Sequence, residues 1–106
     1  MLLEKPVFKM YVKDGCPYCD KARDIILKEL KTSLHLIDIT EQKDLQELII
    51  ADTNQKTVPV IYLGSEFIGG CDALVELCDS GDIEKMVLRE ENNILKAEIT
   101  RLRRSI

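Results

Sequence analysis

The stretch that indicates the fold most clearly is VFKMYVKDGCPYC, residues 7–19. Val7 to Val12 is short and β-prone, and the turn-forming pair Asp14-Gly15 follows it, so a strand is predicted here. Pro17 suits the first turn of a helix, where its missing N–H costs no hydrogen bond. We therefore expect a strand, a short loop and a helix that starts beside two cysteines.

Cys16 and Cys19 are the candidate reactive groups of this loop. Free backbone N–H groups and the positive end of a helix dipole stabilise a thiolate on Cys16, which makes it nucleophilic near neutral pH. Cys19 lies about one turn further on, less exposed, and can attack a mixed disulfide formed on Cys16. The pattern predicts a redox dithiol. An inert pair or half of a zinc site are the alternatives, and zinc would need ligands from Cys71, Cys78 or His35, which form no second metal-binding spacing.

The rest of the chain alternates helical and strand patterns. The predicted elements after the first strand are a helix over 17–31, a strand over 34–39, a helix capped by Thr40 and running to about Ala51, strands over 58–63 and 66–68 joined by Gly64-Ser65, a helix over 72–79 and a last helix from Asp82. This order predicts an α/β fold with a mixed four-stranded sheet. A parallel pair comes from the β-α-β start, an antiparallel hairpin follows, and helices cover both faces.

Length and composition bound the class of protein. The chain has 106 residues, of which 45% are hydrophobic and 32% charged, and this is typical of one soluble globular domain. No stretch approaches the roughly 20 apolar residues that span a bilayer, and Met1 to Pro6 lacks the apolar core of a signal peptide. We therefore expect a cytoplasmic protein without a membrane partner, in which paired cysteines serve chemistry instead of structural disulfides.

The net charge of −4 is unevenly distributed along the chain. Residues 88–106 hold five basic and three acidic side chains, whereas the remainder holds ten basic and sixteen acidic ones. Phosphate binding depends on a continuous basic face, so this acidic body predicts no nucleic-acid partner.

Three separated motifs give the chain a resemblance to a known family. They are Lys13-Asp14-Gly15-Cys16-Pro17-Tyr18-Cys19, Thr57-Val58-Pro59 and Gly69-Gly70-Cys71-Asp72. In this order and at this spacing, from about Val7 to Val87, the chain resembles the dithiol glutaredoxins. The resemblance implies a thioredoxin-like fold, glutathione as reductant and co-substrate, and no metal. It also implies that disulfide-containing or glutathionylated proteins are substrates, and that cytosolic enzymes such as ribonucleotide reductase accept the electrons.

The same resemblance implies a glutathione site. A cis-proline matching Pro59 lies beside the sulfurs, and the backbone matching Val58 pairs with glutathione as an added strand would. A helix N-terminus, here formed by Gly70, Cys71 and Asp72, takes the γ-glutamyl end. The predicted glutathione-binding residues are Lys13, Tyr18, Lys56, Thr57, Val58, Pro59, Gly70, Cys71 and Asp72, with the two lysines matching positions that hold the glycine-end carboxylate. Relatives often carry an arginine shortly after the proline, where this chain has Val60, Ile61 and Tyr62.

Two alternatives from the same residues stay open. One is an iron–sulfur cluster carrier in which two domains hold a cluster between their Cys16 thiolates and glutathione. Pro17 speaks against it, because it stiffens the loop and cluster-binding relatives more often have another residue there. The other is a redox protein reduced by a flavoprotein. Cys71 and Cys78 are interpreted as packed thiols, and His35 as an exposed side chain without a role.

Residues 88–106 are predicted as a helical extension separate from the domain at 1–87. Leucines recur at heptad position d (Leu88, Leu95, Leu102), and Asn92, Ile99 and Ile106 recur at position a, a pattern that favours a parallel two-stranded coiled coil. Glu91 would face Lys96 of the second chain, and Glu98 would face Arg103. Just under three heptads are present, so packing on the domain or on another protein and fraying are the alternatives to a homodimer.

Overall fold

The computed structural model describes the backbone of residues 7–104, and of the side chains those at 7–92, 94 and 96. Within this range it contains four strands, four α-helices and one π-helical turn that continues the first helix. The elements are β1 (Val7–Val12), α1 (Pro17–Asp24), the π-helical turn (Ile25–Glu29), β2 (Ser33–Asp38), α2 (Lys43–Thr53), β3 (Val60–Leu63), β4 (Glu66–Gly69), α3 (Cys71–Ser80) and α4 (Asp82–Arg104).

The strands form one mixed sheet in the order β2-β1-β3-β4. β1 runs parallel to β2 and antiparallel to β3, and β3 and β4 form an antiparallel hairpin. Phe8 of β1 therefore has Leu34 of β2 on one side and Leu63 of β3 on the other. The predicted sheet is confirmed, and β1 lies at its centre with its C-terminal end leading directly into the cysteine loop.

Side chains of β1 alternate between two layers of packing. Phe8 and Met10 are fully buried in the larger core, which also contains residues of α1, α3 and α4. On the opposite face a smaller core joins Ile49 of α2 to Ile39 and Val60. Helices thus cover both faces of the sheet, as predicted.

The first helix covers nearly the whole predicted span, but its α-helical part ends at Asp24 and a π-helical turn continues it to Glu29. The N–H of Leu30 donates to the carbonyl of Ile25 at 2.9 Å, five residues back, and this spacing defines the π-helical turn. A π turn places one extra residue in the helix. Ile25 and Ile26 are consequently both buried, and Leu30 packs against the same core.

Two further boundaries differ from the prediction. Thr40 does not cap α2, which starts at Lys43 after Gln42; Thr40 bonds to Asp38 and Asp14 instead. β3 starts at Val60 and not at Val58. Pro59 has no N–H to donate to a sheet, and the strand begins only after it.

Gly81 separates the last two helices, as predicted, with a φ of +81° that favours glycine. α4 then runs without a break across the predicted boundary between 87 and 88, and Arg89 lies 3.5 Å from the carboxylate of Glu66 in the β3–β4 hairpin. The side chains of the later heptad residues, Leu95, Ile99 and Leu102, lie outside the described part of the chain, as do Ile106 and the segment Met1 to Pro6. The division into a domain and an extension stays a prediction.

No helix within residues 7–104 is both long enough and apolar enough to span a membrane.

The burial pattern predicts how two leucine truncations will differ. Leu74 of α3 is fully buried, whereas Leu48 of α2 is 66% exposed. We expect Leu74→Ala to lower the free energy of unfolding by about 2–5 kcal/mol, because it removes buried contacts and leaves a cavity. Leu48→Ala should change it by less than about 0.5 kcal/mol. Urea titration followed by circular dichroism measures both, and equal losses would contradict the assigned core.

Candidate active site

The junction between β1 and α1 positions the first cysteine. Cys16 is the N-cap residue of α1, with an extended backbone, and Pro17 takes the first helical position as predicted. The Cys16 sulfur accepts a hydrogen bond from the backbone N–H of Cys19 at 3.2 Å. The sulfur therefore occupies the place of a capping oxygen, where free N–H groups favour negative charge. This geometry suits a thiolate nucleophile.

The cysteine loop faces the loop before β3. The Cys16 thiol lies 3.7 Å from the carbonyl oxygen of Val58, to which it donates a hydrogen bond. The Val58–Pro59 peptide bond is cis, which confirms the expectation for this proline. Two segments 42 residues apart in the chain thus meet at the Cys16 sulfur.

Cys19 differs from Cys16 in its surroundings. Its side chain is buried, with 5% exposed, whereas Cys16 is only half-buried. Burial raises the pKa of Cys19 to about 12, and the hydrogen bond with Cys16 adds to this rise. Cys19 is therefore a neutral thiol near neutral pH, so Cys16 is the sulfur placed to react first.

A cleft of about 620 Å³ opens beside the two loops. Seven of the nine predicted glutathione-binding residues line it: Tyr18, Thr57, Val58, Pro59, Gly70, Cys71 and Asp72. Lys13 and Lys56 are not among the lining residues; Lys13 is half-buried and Lys56 is exposed. The cleft therefore brings together the backbone and helix-terminal part of the predicted site, and the two cations lie outside its walls.

The far wall of the cleft is the start of α3. Gly69 has a φ of +130°, and a Cβ there would lie 2.9 Å from the Cβ of Ala73, so only glycine fits this position. Gly70 is the N-cap residue, and the first N–H groups of α3 follow at Cys71 and Asp72. N–H groups in the first turn lack partners within a helix and can receive an anion.

The other two cysteines have the character of packed thiols. Cys71 is buried and Cys78 is half-buried, and burial raises the pKa of each. His35 is exposed on the edge strand β2, as predicted. Within the described residues, no group of three or more His, Cys, Asp or Glu side chains is arranged to hold a metal ion.

Two side chains that sequence reasoning did not assign to the site support its loops. Thr40 accepts a hydrogen bond from the N–H of Asp14 at 2.9 Å and donates its hydroxyl to Asp38 at 2.6 Å. The hydrogen bonds from the Thr40 side chain and backbone lower the pKa of Asp38. Gln55 lines the cleft and bonds to the loop that carries Pro59. Neither belongs to a motif, and only the folded backbone brings each of them to its partners.

Comparison with known proteins matches the glutaredoxin family model to residues 8–68. Glutaredoxin-1 of Rhizophagus irregularis is 34% identical over 89 residues, covering 81% of this chain and 87% of that protein. Glutaredoxin-1 of Saccharomyces cerevisiae is 33% identical over 93 residues, covering 82% and 84%. The chain belongs to the glutaredoxin family.

Solved structures agree with this assignment. The holo form of glutaredoxin C1 from Populus tremula x tremuloides is 26% identical with a TM-score of 0.70, covering 77% of this chain and 83% of that one. A buckwheat glutaredoxin–glutathione complex is 25% identical with a TM-score of 0.71, covering 79% and 78%. This glutaredoxin is a glutathione-dependent thiol-disulfide oxidoreductase with the thioredoxin-like fold expected from its sequence.

The unequal burial of the two active-site thiols predicts their order of alkylation. In the reduced folded protein near neutral pH, iodoacetamide should modify Cys16 well before Cys19, because burial keeps Cys19 protonated and shielded. Peptide mass spectrometry after a short exposure measures the two adducts. Denatured protein is the control, in which both sites should react at similar rates. Equal modification in the folded state would contradict the assignment of Cys16 as the first nucleophile.

Proposed function

We propose that this glutaredoxin reduces protein disulfides and glutathione mixed disulfides through the dithiol Cys16-Pro17-Tyr18-Cys19. The observation that carries the proposal is the Cys16 sulfur at the N-terminus of α1, half-buried and bonded by the N–H of Cys19. A thiolate held there is available to a substrate disulfide, whereas Cys19 is enclosed. The asymmetry divides the chemistry between an attacking and a resolving sulfur.

With a protein disulfide, the cycle has two exchanges before glutathione acts. The Cys16 thiolate attacks one substrate sulfur, the substrate S–S bond breaks, and the leaving thiolate takes a proton from solvent. Cys19 then loses its proton and attacks the Cys16 sulfur, which releases the second substrate thiol and leaves a Cys16–Cys19 disulfide. One glutathione opens this disulfide to form a mixed disulfide on Cys16. A second glutathione attacks that adduct, so that glutathione disulfide departs and the dithiol is restored.

With a glutathionylated protein, Cys19 is not required. The Cys16 thiolate attacks the glutathione sulfur, the protein thiol leaves, and a second glutathione resolves the adduct on Cys16. The two routes share Cys16 and differ in their need for Cys19. Loss of Cys19 should therefore affect only the reduction of protein disulfides.

The cleft beside Cys16 is the proposed glutathione site. Support comes from the three walls that meet there: the Tyr18 ring, the Thr57–Pro59 loop and the N-terminus of α3. The Val58 backbone would pair with the main chain of glutathione, and the N–H groups of Cys71 and Asp72 would take the γ-glutamyl carboxylate. The Asp72 carboxylate would then face the ammonium group.

Lys13 and Lys56 are proposed to act at the open side of this cleft. Lys13 begins the motif that contains both active-site cysteines, and Lys56 comes directly before Thr57-Val58-Pro59. A lysine at the rim attracts the glycine-end carboxylate through charge, an effect that salt weakens. The grip on that end of glutathione therefore depends on screened charges, because Val60, Ile61 and Tyr62 stand where relatives often carry an arginine shortly after the proline.

The proposed location is the cytoplasm, and the proposed electron acceptors are enzymes with disulfide intermediates, such as ribonucleotide reductase. The location is supported by paired cysteines that serve chemistry instead of structural disulfides, as is usual in a reducing compartment. The acceptor is supported by resemblance to the family. The iron–sulfur carrier remains the alternative for Cys16. No contact among the described residues favours a cluster over thiol exchange at this position.

Serine substitutions at the two active-site cysteines test the mechanism. Cys16→Ser should lower glutathione-coupled reduction of both substrate types by on the order of a thousandfold or more, because the nucleophile is lost. Cys19→Ser should keep activity on a glutathionylated peptide and lose activity on a protein disulfide. Cys78→Ser, away from the cleft, is the control and should keep both. Full activity of Cys16→Ser would refute the proposal.

We also propose that residues 88–106 pair two copies of the chain in a parallel coiled coil. The heptad spacing and the complementary positions of Glu91 with Lys96 support it. Leu88, the first seam residue, is 61% exposed on α4, and the helical backbone continues to Arg104. An exposed leucine at the start of such a seam has apolar area to bury in a partner.

Substitutions at two adjacent residues test whether the a and d positions of this helix form the dimer contact. Ile99→Glu puts like charges at position a of both chains and should convert a dimer into a monomer at micromolar concentration. Thr100→Glu adds the same charge at position b and should leave the dimer intact. Sedimentation velocity distinguishes the two states. A monomeric wild type, or equal behaviour of the two variants, would exclude the coiled coil.

A further inference from the structure

Gln55, in the loop between α2 and β3, donates two hydrogen bonds through its side chain. Its side-chain nitrogen donates to the carbonyl of Pro59 at 2.8 Å and to the carbonyl of Thr57 at 2.9 Å. An amide NH₂ group has two hydrogens, so both donors are used on this one loop. The backbone N–H of Gln55 donates in turn to the Thr53 hydroxyl at 3.1 Å, which connects the residue to the end of α2.

The residue between the two bonded carbonyls is Val58. Its own carbonyl accepts the hydrogen bond from the Cys16 thiol. Gln55 thus binds the carbonyls on either side and leaves the Val58 carbonyl to face the active-site sulfur. The proposed pairing of glutathione with the Val58 backbone needs this same peptide to be held in place.

Gln55 also lies near the opposite wall of the cleft. A Cβ added to Gly70 would lie 3.5 Å from the Gln55 side-chain nitrogen and 3.5 Å from the Pro59 carbonyl. The amide therefore occupies the corner where the Thr57–Pro59 loop meets the start of α3. One side chain contacts the loop and borders the helix N-terminus that together form the proposed site.

We propose that Gln55 is a positioning residue for glutathione, which acts through the Val58 peptide and not by contact with the reacting sulfurs. This inference rests on the proposed function. Removal of the two donors leaves the Thr57 and Pro59 carbonyls without their partner and frees the loop to turn. Affinity for glutathione then falls, while the chemistry of Cys16, set by the N-terminus of α1, is retained.

Gln55→Met tests the proposal because it keeps the length of the side chain and removes both donors. For a glutathionylated peptide, KM should rise by about tenfold or more, as expected for two lost hydrogen bonds, with kcat within about twofold of wild type. Gln42→Met is the matched control, since the Gln42 amide also donates to a backbone carbonyl, that of Asp38 at 3.3 Å, but lies outside the cleft. An unchanged KM, or a fall in kcat alone, would overturn the proposal.

Gln55→Glu gives an independent readout that a purely structural role would not produce. Near neutral pH its carboxylate cannot donate and faces two carbonyls, whereas protonation at low pH restores one O–H donor. Binding of S-methylglutathione, measured by calorimetry, should therefore recover relative to wild type as pH falls towards about 4. A constant ratio of the two affinities across this range would refute the positioning role. Thermal unfolding of each variant verifies that it is folded.

A failure of this inference can be told apart from a failure of the proposed function. If wild-type protein shows no glutathione-coupled activity, the proposed function is wrong. If wild type is active and Gln55→Met matches it in KM, only the positioning role is wrong.

Discussion

The hydrogen bond from the Cys19 N–H to the Cys16 sulfur is the contact around which the rest of the site is arranged. It exists because the C-terminal end of the inner strand β1 leads into the cysteine loop, and α1 starts there at Pro17. The antiparallel pairing of β1 with β3 then places the loop before β3 beside the same sulfur. The β3–β4 hairpin returns the chain so that α3 starts opposite. The pairing of β1 with β3 and of β3 with β4 therefore brings all three walls of the cleft together.

Local sequence patterns were sufficient for the elements that depend on neighbours in the chain. Proline at the first position of α1, the hairpin between β3 and β4 and the glycine break before α4 all follow from the preferences of single residues. The π-helical turn could not be predicted in this way, because it depends on how Ile25, Ile26 and Leu30 fit one core. Periodicity alone indicated an ordinary helix there.

In the site, too, residues that belong to local motifs could be predicted, whereas residues brought in only by the fold could not. Motif residues such as Val58 and Asp72 do line the cleft, and the roles proposed for them depend on the backbone and on a helix end, which a motif predicts well. Gln55 was missed because a glutamine in a loop has no distinctive pattern, and its importance arises from two carbonyls that fold back towards it. Thr40 was assigned to the wrong partner for a related reason: Asp38 and Asp14 compete successfully for its hydroxyl.

The continuity of α4 has a consequence for anything bound at its far end. A helix of 23 residues is about 34 Å long at 1.5 Å per residue, and its first half is packed on the domain and joined to the hairpin through Arg89. A flexible linker would let a partner sample many positions and would dilute it around the cleft. A continuous helix instead fixes the distance and direction from the domain to the end of α4. A partner bound at the end of α4 would therefore meet the cleft beside Cys16 in one relative orientation.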